Sequence, residues 1–190
     1  MSQPNPEAFA FLASRQSQPA KLFKGPIPSR EALIEILTAA TRVPDHGKLE
    51  PWRLVVLDKV AMGRVADLAE ARAQELGGDA EKIAKGRGQF DLGQLAVVVI
   101  SAPKPSEKIP QSAQILSAGA LCFGIVNAAS AKGWGANWLS GWPSHDRAFI
   151  TRAFGCADGE TVAGIVHIGT FSTAAPDRPR PDLSRLITWA

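Results

Sequence analysis

The sequence contains few of the residues from which disulfides and metal sites are built. It has two cysteines and three histidines among 190 residues. Cys122 and Cys156 do not form a Cys-x-x-Cys motif, and no two histidines have the spacing of metal ligands. We therefore expect no metal site. Cys122 lies in an apolar helical run, which predicts a reduced, buried thiol in a cytoplasmic protein.

The signals of several other protein classes are missing as well. The first residues, Met1 to Pro6, lack the basic and apolar segments of a secretory signal. Polar side chains interrupt the longest apolar stretch, residues 115–131, so we expect it to be too short and too polar for a membrane span. The net charge is only +3 and the basic residues are scattered, which argues against a nucleic-acid partner. A mildly basic chain is still compatible with a phosphate-bearing small molecule.

The common nucleotide-binding and hydrolase motifs are also absent. The chain has neither a GxGxxG pattern after a strand nor a GxxxxGK(S/T) pattern, and it has no serine nucleophile elbow. A glycine C-cap is sufficient to explain Gly133 and Gly135, which lie between a predicted helix and a predicted strand. A ligand of nucleotide type would therefore bind here without a Rossmann turn.

The length suits one well-buried domain over residues 1–190, and the hydropathy pattern predicts an α+β fold with about four strands. Capping residues predict helices that begin after Asn5 and Ser29. The apolar run Leu95–Ser101 predicts a strand that is buried on both faces. The other predicted elements are strands at 53–58, 135–140 and 161–170, helices at 60–76 and 111–132, a helix capped by Ser144 that ends at Phe154, and a polar, mobile connection at 79–92.

Two further features suggest close packing and association. Ala120, Gly124 and Ala128 recur at intervals of four on the longest predicted helix, which indicates a core helix or a helix at a subunit interface. The tail from Phe171 is rich in proline and arginine and ends in apolar residues. It has no core of its own to join, so we expect it to pack on a neighbouring subunit.

Polar residues in two loops suggest a site for an anionic ligand. Arg15 and Ser17 follow the first helix, where a guanidinium and a hydroxyl can bind a phosphate, although a solvated helix end is the plainer interpretation. His46 lies in a loop between two prolines, either as a base or ligand contact or as a histidine that satisfies the loop's own hydrogen bonds. Trp134, Trp138 and Trp142 are spaced four apart, which fits aromatic walls of a planar-ligand site and core packing equally well.

These segments, in this order, resemble the FMN-dependent nitroreductase family, and in particular its short, single-domain members. The resemblance covers nearly the whole chain. It rests on five segments, which are Arg15-Gln16-Ser17, the loop from Arg42 to Trp52 with its Arg-x-Pro-Asp-His form, Ser117-Ala118-Gly119, Gly133 to Gly141, and Gly164 to Thr170. Each motif alone is modest, but their order and spacing together are specific.

The resemblance implies a nitroreductase-like α+β fold. In it, helices flank a central, mostly antiparallel sheet of four to five strands, and a C-terminal arm, about residues 171–190, reaches the partner subunit. It also implies a homodimer with FMN at the interface. The electron donor would be NADH or NADPH, and the acceptor a small molecule.

The resemblance further implies which residues bind the cofactors. The FMN phosphate and ribityl chain would be bound by Arg15, Gln16 and Ser17. The flavin would be bordered, in the same subunit, by Trp138, Leu139 and Ser140. Arg42 and His46 would reach the flavin from the partner subunit, and Arg42, in competition with Lys48, would stabilise its reduced form. The stretch for the nicotinamide nucleotide is Ala128, Ala129, Ser130, Ala131, Lys132 and Gly133, and Arg180 or Arg185 adds a phosphate contact.

The implied activity is an NAD(P)H oxidoreductase of the nitroreductase type. Hydride passes from NAD(P)H through FMN N5 to nitroaromatic, quinone or similar acceptors by a ping-pong mechanism, so no side chain acts as a catalytic nucleophile. The alternative is a flavin-binding store or sensor without turnover. Four positions, Gln16, Lys48, Glu50 and Leu139, depart from the pattern of the family and bear on substrate and rate more than on fold.

Overall fold

A computed structural model describes residues 3–190 of the chain. The elements in chain order are α1 (Pro6–Ser14), α2 (Arg30–Ala40), β1 (Trp52–Leu57), α3 (Lys59–Glu75), α4 (Ala80–Asp91), β2 (Leu95–Ser101), α5 (Gln111–Ala131), β3 (Gly135–Leu139), α6 (Trp142–His145), α7 (Arg147–Phe154) and β4 (Thr161–Gly169). The four strands form one sheet in the order β1-β2-β4-β3, and every neighbouring pair is antiparallel. The predicted α+β fold with an antiparallel sheet of four to five strands is confirmed.

Helices cover both faces of the sheet. Alternate residues of β2 and β4 point to opposite sides, so Val97 and Val166 pack with α2 and α5, whereas Val98 and Ile165 pack with α3 and α7. All residues of β2 are buried, which confirms the expectation from its unbroken apolar run. The two core layers hold β3, β4 and the C-terminal half of α5 in fixed positions, and the candidate site is built on their ends.

The central helix α5 has its inner face in the core, which was one of the two alternatives that its small residues allowed. Its buried face lies against the sheet and against α2, where a Cβ on Gly124 would lie only 2.7 Å from the carbonyl oxygen of Ala40. This contact confirms the close packing predicted from the small residues. Burial raises the pKa of the Cys122 thiol on the same helix to about 12, so the thiol stays protonated.

The same helix is the one candidate for a membrane span among residues 3–190. The helix is long enough and, with a mean hydropathy of 1.4 over its most apolar window, apolar enough to cross a membrane. The sequence had led us to expect that residues 115–131 were too short and too polar for a span. The feature is weak, because central helices of globular cores have the same composition. In this fold one face of α5 is buried in the core.

Two local predictions are wrong. Residues 79–92 do not form a mobile connection but contain the helix α4, which Asp79 caps through the backbone N–H of Lys82 at 2.8 Å. The sequence did not predict this helix because it contains Gly86 and Gly88, and glycine has a low helix propensity. Ser144 does not cap the following long helix. It is buried in α6, and Asp146 caps α7 instead, by accepting the N–H of Phe149 at 2.7 Å.

Candidate functional site

The end of α1 and the C-terminal segment together form a cationic cavity of about 260 Å³, here called the Arg15 cavity. The chain leaves the helix at Arg15 in extended backbone, so the next side chains turn toward the tail. The cavity is lined by Leu12, Arg15, Gln16, Ser17, Pro176, Asp177, Arg178 and Arg180. It therefore brings together the three residues predicted for the phosphate and one of the two arginines predicted from the tail.

The guanidinium of Arg15 is held in place but not satisfied. It lies over the ring of Phe123 on α5, 5.5 Å from the ring centroid, and its Nη2 donates to Ser17 Oγ at 3.4 Å. Its Nε is buried and has no hydrogen-bond partner within residues 3–190. A buried donor without a partner is costly, and an anion in the adjoining cavity would remove that cost. The site therefore fits a phosphate group.

The tail adds two arginines to this cavity, and only one of them is already in an ion pair. Arg180 pairs with Asp177 at 3.1 Å and donates to the carbonyl of Arg178 at 2.9 Å. The guanidinium of Arg178 makes no hydrogen bond or salt bridge with the described residues. Arg185 lies further along the tail in a short 3-10 turn, and only Arg180 of the two predicted tail arginines lines the Arg15 cavity.

Gln18 joins the three segments that make the site, a role that the sequence analysis missed. Its backbone N–H donates to Ala136 O at 3.2 Å, and its carbonyl accepts from Asn137 Nδ2 at 2.7 Å. Its side-chain Oε1 accepts from the N–H of Ala175 at 2.7 Å. This buried residue thus fixes the end of α1 against β3 and the tail. A glutamine in a loop gives no sequence signal for such a contact.

A second cavity, the Leu139 cavity, has a volume of about 290 Å³ and lies where β3 meets the end of α4. It is lined by Pro19, Ala20, Lys21, Gly88, Gln89, Leu92, Gly93, Asn137 and Leu139. Its walls are mainly apolar, as ligand pockets usually are. The buried Oε1 of Gln89 has no partner among the described residues. The segment from Arg15 to Lys21 contributes residues to both cavities.

The three tryptophans do not form one aromatic wall. Trp138 packs directly on the backbone of Gly164, where a Cβ would overlap the indole. Trp142 packs on Gly86 of α4 and donates its Nε1–H to Lys82 O at 3.2 Å. Trp134 lines a third cavity of about 190 Å³ beside Arg15. Trp138 remains exposed, but it lies on the face of β3 opposite to Asn137 and Leu139, beside Gly119 of α5.

The stretch predicted for the nicotinamide nucleotide forms the end of α5, and its side chains have different environments. Ser130 and Gly133 line the third cavity with Arg15, whereas Ala129 is buried in the core. Lys132 pairs with Glu35 of α2. Gly133 has φ +83°, in the left-handed region, and its N–H bonds to Ser130 O, which is the predicted glycine cap.

The loop that carries His46 has an unusual backbone conformation. Lys48 and Glu50 have φ values of 54° and 47°, which residues other than glycine rarely adopt. Asp45 stabilises this conformation because its carboxylate accepts the N–H groups of Leu49 and Glu50 at 3.1 and 2.8 Å. The structure therefore gives Asp45 a role in shaping the loop that presents His46, and left-handed residues of this kind cluster at functional sites.

A chain of hydrogen bonds fixes this loop to α5. Trp52 Nε1 donates to Ser117 Oγ at 3.2 Å, and the Ser117 hydroxyl donates to Pro44 O at 2.7 Å. His46 is exposed and lines a cavity of about 350 Å³ with Leu116 and Ser117. This His46 cavity is separate from the Arg15 and Leu139 cavities. Arg42 is exposed on the same loop. Within one protomer the predicted binding residues therefore fall into separate groups.

Comparison with known proteins gives a consistent result. The profile of the nitroreductase family matches residues 12–170. A Haemophilus influenzae protein named "Putative NAD(P)H nitroreductase" is 33% identical over 165 residues, which cover 86% of this chain and 88% of that protein.

Solved structures share the fold at lower sequence identity. A nitroreductase-like family protein from Bacillus cereus has a TM-score of 0.78 at 23% identity, covering 100% of this chain and 98% of that one. A variant of the FMN and NADPH-dependent nitroreductase NfnB, from sphigopyxis sp. strain HMH, has a TM-score of 0.74 at 19% identity, covering 96% and 98% of the two chains.

Proposed function

This chain belongs to the nitroreductase family, and we propose that it is an FMN-dependent oxidoreductase. In this proposal, electrons from NADH or NADPH pass to a nitroaromatic, a quinone or a similar small acceptor by a ping-pong mechanism. The name of the Haemophilus influenzae relative, "Putative NAD(P)H nitroreductase", supports the donor and the reaction class. The description of NfnB as FMN and NADPH-dependent supports the cofactor.

The Arg15 cavity is the observation that carries the proposal. It combines three arginines, the Ser17 hydroxyl and a buried, unpartnered Nε of Arg15 among the residues that the structure describes. These groups suit the dianionic phosphate of FMN, since guanidinium groups form strong, geometrically defined bonds to phosphate oxygens. Gln16 and Arg180 line the same cavity, so they are placed to complete the phosphate and ribityl contacts.

The rest of the cofactor would lie along β3. Trp138, Leu139 and Ser140 would border the ring, with Trp138 supported by Gly164 and Leu139 at the wall of its apolar cavity. Bound FMN would supply the redox chemistry by accepting a hydride from NAD(P)H and transferring it to the acceptor. The protein groups would bind and orient both substrates and exclude water from the reacting edge.

The separate His46 cavity supports a site that two subunits complete. Arg42 and His46 lie on a rigid, exposed loop, away from the Arg15 group of the same protomer. In a homodimer this loop would reach the flavin of the partner, where the Arg42 cation would stabilise negative charge on the reduced ring. Lys48, which is also exposed on the loop, is the competing cation. Ser130 and Gly133, beside Arg15, would contact the nicotinamide nucleotide.

The experiment that tests the proposal is the visible absorption spectrum of the purified protein before and after anaerobic addition of NADH or NADPH. Flavin absorption that bleaches with a nicotinamide supports the oxidoreductase and identifies its preferred donor. Flavin absorption that persists with both donors contradicts turnover and favours the storage or sensor alternative. If the protein takes up no FMN even after incubation with it, both the phosphate site and the function are wrong.

A further inference from the structure

Three aromatic side chains from separate parts of the chain line the third cavity, which has a volume of about 190 Å³ and is here called the Trp134 cavity. Phe11 comes from α1, Trp134 from the junction of α5 and β3, and Phe171 from the residues after β4. The cavity is smaller than the roughly 300 Å³ at which pockets for drug-sized ligands begin. It therefore suits a single ring system and not a whole nucleotide.

Two of these aromatic side chains are held in place by their surroundings. The N–H of Trp134 donates to Ala129 O at 3.0 Å, as part of the glycine cap of α5, and the indole packs partly against the core. A Cβ on Gly135 would lie only 2.7 Å from the ring of Phe171, so the glycine at this position leaves room for that ring. The aromatic walls of the Trp134 cavity are therefore formed before any ligand binds.

Polar groups without partners line the same cavity. The Ser130 hydroxyl and the side-chain amide of Gln16 make no hydrogen bond within residues 3–190, and the buried Nε of Arg15 has no partner there either. Adenine has an aromatic face for stacking, and its edge carries both a donor amino group and acceptor ring nitrogens. A base of this kind therefore matches the combination of aromatic walls and unpaired polar groups.

The Trp134 cavity adjoins the Arg15 cavity, because Arg15 and Gln16 line both. No carboxylate is among the described residues that line the Trp134 cavity, and the one carboxylate that lines the Arg15 cavity, that of Asp177, is paired with Arg180. An aromatic pocket for a base next to guanidinium groups for phosphate is the arrangement that a nucleotide requires.

We propose that the Trp134 cavity binds the adenine base of a dinucleotide whose phosphates lie toward Arg15. The base site rests on the proposed function, because the donors in that proposal, NADH and NADPH, both carry adenine. The base stacks on the aromatic side chains of Phe11 and Trp134, and its polar edge bonds to Ser130 and Gln16. FAD carries the same adenylate group as the donors, so the experiment has to distinguish the donor from a flavin dinucleotide.

The test compares NADH with reduced nicotinamide mononucleotide, NMNH, which lacks the adenylate, as donors to the FMN-loaded protein. Trp134→Leu keeps an apolar side chain against the core but removes the stacking surface, and Phe11→Leu does the same on α1, a helix without buried residues. Both variants should lower kcat/KM for NADH by about tenfold relative to kcat/KM for NMNH, which is the scale of one base–aromatic stack. Phe9→Leu is the matched control and should keep the wild-type ratio, because Phe9 is exposed on the same helix and does not line the cavity.

The dissociation constants of FMN and FAD, measured by calorimetry for the same proteins, identify the source of the adenine. If the ratio for the two donors stays at its wild-type value and FAD binding weakens about tenfold relative to FMN binding, the adenine is that of FAD. If neither comparison changes in the two variants, the Trp134 cavity is not a base site. Phe11→Leu decides alone if Trp134→Leu does not fold.

Failure of the proposed function gives a different result, because the wild-type protein then binds no flavin or is bleached by neither NADH nor NMNH. Titration with AMP tests the base site in that case, since it requires neither flavin nor turnover. Binding heat that is lost in Trp134→Leu or Phe11→Leu supports the site, whereas no binding heat in the wild-type protein overturns it.

Discussion

The guanidinium of Arg15 lies over the ring of Phe123 and lines a cavity of about 260 Å³. Its contact with the ring orients the planar group, and its weak bond to Ser17 leaves donors free. The sequence indicated a phosphate site from Arg15 and Ser17, but it left a solvated helix end as the plainer interpretation. The buried, unpartnered Nε, in the part of the chain that the structure describes, is what favours the phosphate.

Arg15→Ala should weaken FMN binding by about tenfold to 100-fold, because a charge-assisted hydrogen bond contributes about 1.5–3 kcal/mol. The measurement is a titration of the protein with FMN, followed by quenching of the flavin fluorescence. Arg64→Ala is the matched control, since Arg64 is exposed on α3, away from the Arg15 cavity. Equal FMN affinity in the Arg15 variant and the wild-type protein would contradict the phosphate role.

His167 is a second residue whose environment the sequence did not reveal. It is 0% exposed, and neither ring nitrogen has a partner among residues 3–190. Burial lowers its pKa from 6.5 to about 4. Because the folded pKa lies below the unfolded one, the unfolded chain binds the extra proton. The contribution of the neutral His167 ring to the free energy of unfolding is therefore fully present above pH 6.5. It is lost as the pH decreases from 6.5 to about 4.

The free energy of unfolding should therefore decrease by about 2 kcal/mol between about pH 7.5 and about pH 5 through this residue alone. Urea unfolding at the two pH values measures it. His167→Leu, which has a similar volume and no titrating group, should lose this part of the pH dependence. A wild-type protein and a variant with the same pH dependence would show that His167 is not buried as a neutral ring.

At the scale of elements, α5 was predictable because its apolar run is long and its small residues recur every four positions. The partner of its small-residue face was not, since the pattern fitted both a core and a subunit interface. The structure places Gly124 against the carbonyl of Ala40 on α2. The helix α4 was missed because its contacts with α3 and Trp142, which offset the low helix propensity of its glycines, are made between distant parts of the chain.

Gly124→Ala should destabilise the protein by about 1–3 kcal/mol, because the added methyl must displace the backbone of α2. Gly63→Ala on α3 is the matched control. No atom lies within 4 Å of a Cβ at Gly63, so alanine should stabilise the helix by about 0.5–1 kcal/mol. Thermal or urea unfolding of the two variants gives the comparison. The contact between α2 and α5 is not as tight as described if both variants are stabilised.

For the whole molecule, the exposed apolar residues indicate association. Trp189 is 90% exposed and Leu186 68% exposed in the tail, and Leu116 and Phe123 are exposed on α5. Single exposed apolar side chains are common, but several on one arm and one helix indicate a surface that another subunit covers. The homodimer, the single domain over residues 1–190 and the cytoplasmic location remain predictions.

If the proposed homodimer forms, the double variant Leu186→Asp with Trp189→Asp should convert it into a monomer, because a carboxylate is costly to bury in an apolar interface. This change leaves Arg178 and Arg180 in place, so it separates association from phosphate binding. Sedimentation velocity measures the oligomeric state. Val60→Asp on α3 is the control, because Val60 is also 68% exposed but lies outside the tail. A variant that sediments as a stable dimer would contradict the role of the arm.

The sequence alone determined the α+β class, the buried strand β2, the existence of the long apolar helix α5 and the order of motifs that identifies the family. These features depend on local periodicity and on residue types at fixed spacing, which the chain shows directly. The tertiary structure decided which residues meet: the tail arginines with Arg15, Gln18 with β3, Trp138 with Gly164, and Ser140 with His145 across a turn. Contacts between distant segments depend on how the layers pack, and no local pattern in the sequence records that packing.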